Sequence, residues 1–128
     1  MTRLLLVEDQ PKDSRMASEA AGMAGISLID AKSTAIAAKS WLEAGLSGDG
    51  TLPDAIILDL DLGFDSGFEL MRFWHSTPKL RVIPVIVWTH MDDQFGKLCD
   101  LFKVADVVPK WQGRDALLQA LIKISPKA

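Results

Sequence analysis

Leu4-Leu5-Leu6-Val7-Glu8-Asp9-Gln10-Pro11 is the stretch on which the fold turns. Four apolar residues in succession read as a short strand buried on both faces, which is the habit of parallel sheets. Two acids follow, and Asp9-Gln10-Pro11 then reads as a helix start, because proline is pre-set for the first helical turn. That helix is expected to run to about Gly25.

The same alternation continues to the end of the chain. Ile26 to Ala31 is a second strand, and Ser33 or Thr34 caps a second helix ending near Gly45, with Ala35, Ala38, Leu42 and Leu46 along one side. Residues 47–53 form the one real loop, and Ala55-Ile56-Ile57-Leu58 is the third strand. Ser66 and Glu69 stand at capping-box spacing and open a third helix through about Ser76. Pro84 begins the fourth strand, Val85 to Trp88, where a missing N–H is tolerated. Asp92 or Asp93 caps a fourth helix carrying Phe95, Leu98 and Phe102, Val107-Val108 is the fifth strand, and Leu117, Leu121 and Ile124 stripe the fifth helix. Five buried strands joined by helical crossovers predict an α/β fold: a parallel sheet in the order 2-1-3-4-5 with helices on both faces, as one domain over residues 1–128.

In such sheets function lies at the carboxyl ends of the strands, where the strand order reverses. The first strand ends there in Glu8-Asp9, the third in Asp59 with Asp61 two residues on, the fourth in Thr89 and the fifth in Lys110. One aspartate after a strand is ordinarily a turn former or a helix cap. Carboxylates from two adjacent strands in one small volume are different, because they repel and call for a cation, and Mg²⁺ takes carboxylate, carbonyl and water oxygen. A carboxylate beside Mg²⁺ suits phosphoryl transfer, with Asp as nucleophile and Mg²⁺, the Thr89 hydroxyl and the Lys110 ammonium each taking one oxygen of the transferred group.

Bulk properties narrow the alternatives. The 128 residues suit one core, with 48% hydrophobic and 24% charged residues. A net charge of -3 gives no footprint for nucleic acid. No apolar run is long enough for a signal peptide or a membrane span. The single cysteine, Cys99, forms no internal disulfide and reads as a buried structural thiol, in keeping with a cytoplasmic location.

Taken together, Leu-Leu-Val-Glu8-Asp9, Ile-Ile-Leu-Asp59-Leu-Asp61-Leu, Asp65-Ser66-Gly67-Phe68-Glu69-Leu70, Pro84-Val-Ile-Val-Trp-Thr89 and Ala105-Asp106-Val-Val-Pro-Lys110 resemble the response-regulator receiver family of two-component signalling along essentially the whole chain. The resemblance implies a flavodoxin-like fold and a phosphoryl group taken on Asp59 from a histidine kinase, a histidine phosphotransfer protein or a small donor such as acetyl phosphate. It implies Mg²⁺ held by Asp9, Asp59 and the backbone carbonyl of Asp61, with Glu8 acting through water, and Thr89 and Lys110 on the phosphoryl group. It also implies no enzyme activity beyond the chain's own phosphorylation and dephosphorylation. Phosphorylation would draw Thr89 inward and change the face built from the fourth helix, fifth strand and fifth helix, to dock an output protein or self-associate. Phe102, Val107 and Trp111 fall on that face.

Three positions depart from the family pattern. Val107 stands where the family has a rotating aromatic switch. Trp111 follows the lysine in place of a cis-bonded proline, which predicts a trans bond or strain at Lys110–Trp111. His90 replaces a small residue after Thr89 and is expected to cover part of the phosphoryl site. Two rivals stand beside this reading. Asp59-Leu-Asp61 also resembles the nucleophile motif of haloacid-dehalogenase-type phosphatases, but here it is mid-chain with Leu62-Gly63 after it. The other rival is a receiver that binds partners without phosphorylation.

Overall fold

The computed structural model describes residues 3–48, 50–62, 65–90 and 93–124; the expected Asp92 cap and the tail from 125 onward lie outside them, as do the side chains of Phe95 and Leu98. Five strands, β1 (Arg3–Val7), β2 (Leu28–Lys32), β3 (Ala55–Leu58), β4 (Val85–Thr89) and β5 (Asp106–Pro109), form one sheet. All pairings in it are parallel and the order is β2-β1-β3-β4-β5, so the expected fold is observed. The helices are α1 (Pro11–Met23), α2 (Ala35–Ser47), α3 (Gly67–Ser76), α4 (Asp93–Phe102) and α5 (Gly113–Ile124).

The unbroken apolar runs have a structural reason. Successive side chains of a strand point to opposite faces, and both faces are covered. Leu5, Val7, Ile56, Leu58, Val85 and Val87 enter one core with α2, α3 and the buried Cys99 of α4. Leu4, Leu6, Ala55, Ile57, Ile86 and Trp88 enter the other with α1 and α5. Each fully buried Leu, Ile or Val contributes about 1.5–3 kcal/mol. The α1 side is closely approached because its inward residues are small: Ala17, Ala20 and Ala21 are fully buried.

Several boundaries differ from the sequence-based expectation. β2 begins at Leu28 rather than Ile26, and α2 continues to Ser47. Thr34, not Ser33, caps α2 by accepting from the Ala37 N–H at 3.0 Å. The loop after α2 packs back on the helix: a Cβ on Gly45 would lie 2.1 Å from the Thr51 carbonyl oxygen. At α3 the Ser66 hydroxyl accepts from the Phe68 N–H, while the Glu69 carboxylate pairs with Arg72, so the expected reciprocal capping box is only half formed. A single helical turn over Pro78–Arg81 and a two-residue antiparallel pairing of Asp61–Leu62 with Asp65–Ser66 were too short to leave a periodic signal.

That small pairing braces the carboxyl end of β3. It turns the chain back so that Gly67 sits on the backbone of Asp59, where a Cβ would lie 2.4 Å from the Asp59 carbonyl oxygen and 2.7 Å from Leu60 Cα. The Gly67 N–H donates to the Leu60 carbonyl at 3.2 Å. Only a residue without a side chain fits there, so the close approach selects glycine.

Candidate functional site

The carboxyl ends of β1, β3, β4 and β5 bring Glu8, Asp9, Asp59, Thr89 and Lys110 together, as the topology predicts. Glu8, Asp59, Thr89 and Lys110 are the buried polar residues among those described. Backbone bonding fixes the acids: the Asp59 N–H donates to Val7 and the Glu8 N–H to Lys32, each at 3.0 Å.

Both oxygens of Asp59 are engaged. Oδ1 accepts from the Asp61 N–H at 2.9 Å and from the Thr89 hydroxyl. Oδ2 accepts from Lys110 Nζ at 2.9 Å. Thr89 thus faces Asp59 directly. Asp61 contributes its backbone, while its own side chain is exposed at the rim.

Lys110 is the hub. Its ammonium lies 2.7 Å from Glu8 Oε2, 2.8 Å from Asp13 Oδ2 and 2.9 Å from Asp59 Oδ2. It also sits 5.2 Å from the ring centroid of Trp88, within cation–π range. Burial alone would push the ammonium's pKa down, but the bonds to Asp13, Glu8 and Asp59 outweigh it and hold Lys110 charged well above the usual lysine range. Burial pushes Glu8 up to about 7, against the pull of Lys110, and the Asp59 charge adds to the rise. The sequence pattern does not mark Asp13. Its only signal is its place one helical turn after Asp9, in the first turn of α1.

Glu8, Asp9 and Asp59 each offer a carboxylate oxygen, all within 4.8 Å of one another. Asp9 Oδ1 is buried with no hydrogen-bond donor among the described residues. An all-oxygen trio with an orphaned acceptor fits a hard divalent cation. The Asp61 carboxylate is not in that trio. A cavity of about 580 Å³ opens above it, lined by Asp9, Gln10, Lys12, Asp13, Met16, Asp59, Asp61, His90 and Lys110. His90, the residue after β4, is exposed and lines the cavity. No peptide bond is cis among the described residues, so Lys110–Trp111 is trans, and Trp111 is the middle residue of a 3₁₀ turn, Lys110–Gln112, and 78% exposed. Val107 is half-buried against the α3–α4 core.

No family model matches the sequence, and no curated protein does. The solved structures do. The bacteriophytochrome response regulator RtBRR superposes with a TM-score of 0.85 at 21% identity, over 100% of this chain and 80% of its own. The phosphorylated cyanobacterial phytochrome response regulator RcpA follows at 0.79 and 26%, over 96% and 90%. This is the response-regulator receiver fold. The Mn²⁺-bound form of the response regulator Rcp1 also matches this chain, at 0.80 and 26%, over 97% and 91%. Among the described residues, no helix is long and apolar enough to cross a membrane.

Proposed function

We propose that this receiver is a phosphoacceptor switch of two-component signalling or a phosphorelay, with Asp59 as the acceptor. The observation that carries the reading is the bonding of Asp59: a hydroxyl and an ammonium converge on its two oxygens, beside an acidic trio and under an open cavity. An Asp59 oxygen attacks the phosphorus of a phosphohistidine or of acetyl phosphate. The P–N or P–O bond to the donor breaks, the leaving group takes the bonding pair, and an acyl phosphate remains on Asp59. Thr89 and Lys110 then donate to phosphoryl oxygens in place of the carboxylate oxygens they hold in the free protein. Attack of water on the same phosphorus releases inorganic phosphate and restores the carboxylate.

Glu8, Asp9 and Asp59, with the Asp61 carbonyl, would hold Mg²⁺, whose charge neutralises that developing on the phosphoryl oxygens. The neighbours support this reading: RcpA was solved phosphorylated and Rcp1 with Mn²⁺ bound. The chain's catalysis is confined to its own phosphorylation and dephosphorylation. Its donor is a cytoplasmic histidine kinase or phosphotransfer protein, and its output is read from the α4–β5–α5 face, where Leu101 and Trp111 are exposed.

Val107 in the place of an aromatic switch, with Trp111 exposed after the lysine and His90 after Thr89, favours a second reading, in which the chain binds its partner without phosphorylation. One experiment separates the two. The protein is incubated with acetyl phosphate, with and without Mg²⁺, and its intact mass is compared with that of Asp59→Asn. One added phosphoryl group that needs both Mg²⁺ and Asp59 establishes the switch. No uptake from acetyl phosphate or from a phosphorylated donor protein, with partner binding that survives Asp59→Ala, establishes the second reading.

A further inference from the structure

Asp13 has no part in the phosphoacceptor reading, yet it makes one of the three contacts of the Lys110 ammonium, across 97 residues of sequence. An ammonium has three N–H donors. Two of them are given to Asp13 Oδ2, in the first turn of α1, and to Asp59 Oδ2, beyond β3, while Glu8 Oε2, beyond β1, faces the ammonium at 2.7 Å as an ion pair. Two of these acids belong to the trio whose oxygens lie within 4.8 Å of one another, so a bound cation would share their charge. Asp13 stands outside the trio, and its hold on Lys110 is not in competition with a cation.

The two side chains differ in stiffness. Lysine carries a long flexible stem whose ordering costs rotamer entropy. Aspartate is short, and the Asp13 side chain, 19% exposed, projects from a helix. We propose that Asp13 is a positioning residue that pins the Lys110 ammonium against the Asp59 carboxylate, leaving one N–H aimed where the phosphoryl oxygens form. This rests on the reading of Asp59 as the phosphoacceptor. Without Asp13, Lys110 follows only Glu8 and Asp59 and loses its aim when their charge is shared. A purely structural role would instead be that of a first-turn acid, favourable to the α1 dipole and indifferent to Lys110.

The test compares Asp13→Ala, Asp13→Asn, Lys110→Ala and the Asp13→Ala/Lys110→Ala pair, each checked for a native thermal transition. Phosphorylation by acetyl phosphate at saturating Mg²⁺ is expected to slow about ten-fold in Asp13→Ala, the value of one charge-assisted hydrogen bond. Asp13→Asn, which keeps an acceptor oxygen, is expected to fall between Asp13→Ala and the wild type. In the Lys110→Ala background, Asp13→Ala should slow the reaction no further. An unchanged rate in Asp13→Ala, or an equal loss in both backgrounds, overturns the proposal.

A second measurement needs no phosphorylation. In ¹H–¹⁵N spectra of the Mg²⁺-loaded protein, the Lys110 ammonium is expected to give a resolved, slowly exchanging signal that Asp13→Ala abolishes. If the wild type takes up no phosphoryl group, the phosphoacceptor reading fails, and this signal alone decides the role of Asp13. Its loss supports pinning, and its persistence in Asp13→Ala overturns it.

Discussion

The floor of the pocket and the α4–β5–α5 face follow opposite rules. On the floor, Glu8, Asp59, Thr89 and Lys110 are buried, and each is held by at least one other charged or polar side chain. On the face, Leu101 and Trp111 are more than 70% exposed, and Val107 replaces the aromatic expected from the family pattern. Chemistry at Asp59 needs preorganised donors, and those cost stability unless every polar atom is partnered. A docking surface needs apolar area left open until the partner arrives. The contrast means that substitutions on the floor should alter chemistry and stability together, while those on the face should alter association alone.

The largest expected effect is complete: Asp59→Asn takes up no phosphoryl group by intact mass, because the nucleophilic carboxylate is gone. Any Mg²⁺-dependent uptake in that variant would relocate the acceptor and dissolve the contrast. Next comes Gly67→Ala. The new methyl would lie 2.4 Å from the Asp59 carbonyl oxygen, so β3 or α3 must shift. The expected cost is about 1–3 kcal/mol by urea unfolding, with slowed phosphorylation in the folded protein. A variant as stable and as fast as the wild type would show that this corner is loosely packed.

A third prediction concerns pH. Glu8 is raised from an ordinary 4.5 to about 7, so the native state holds its proton more tightly than the unfolded chain. Its contribution is therefore full below about pH 4.5 and is lost as pH rises towards 7, at most about 3 kcal/mol across the window. In the metal-free protein, Glu8→Gln should flatten the fall in stability between those limits, read as thermal midpoint against pH. An unaltered slope would assign the fall to other groups. The smallest effect is expected at Trp111. Trp111→Ala should change stability by no more than about 0.5 kcal/mol while weakening self-association or partner capture. A large loss of stability would place Trp111 in the core of the protein rather than on its docking face.

Much of this was legible in the sequence because the physics is local. Strands buried on both faces must be apolar throughout, so Leu4–Val7, Ala55–Leu58 and Val85–Trp88 stand out, and the topology then dictates that Glu8-Asp9, Asp59, Thr89 and Lys110 meet. What stayed hidden depends on tertiary distance. Asp13 reads as an ordinary first-turn acid until the fold brings the start of α1 up to Lys110, the residue after β5. Gly67 reads as a helix start until the Asp61–Leu62 and Asp65–Ser66 pairing folds it onto Asp59. The Ser66–Glu69 capping box failed for a competitive reason, since Arg72, one turn on, claims the Glu69 carboxylate. The Thr89–Asp59 bond was hidden too, since a buried hydroxyl must find an acceptor but only the fold shows that Asp59 Oδ1 is within reach.

Trp88 gives the molecule an optical property. Its indole is fully buried, its N–H has no acceptor among the described residues, and the Lys110 ammonium sits 5.2 Å from the ring centroid. An indole in so dry a setting emits towards the blue, and a cation over its ring tunes that colour by its position. Any event that moves the ammonium therefore changes the light from Trp88. With Trp41, Trp74 and Trp111 replaced by phenylalanine, the protein would report the state of its own pocket without a dye.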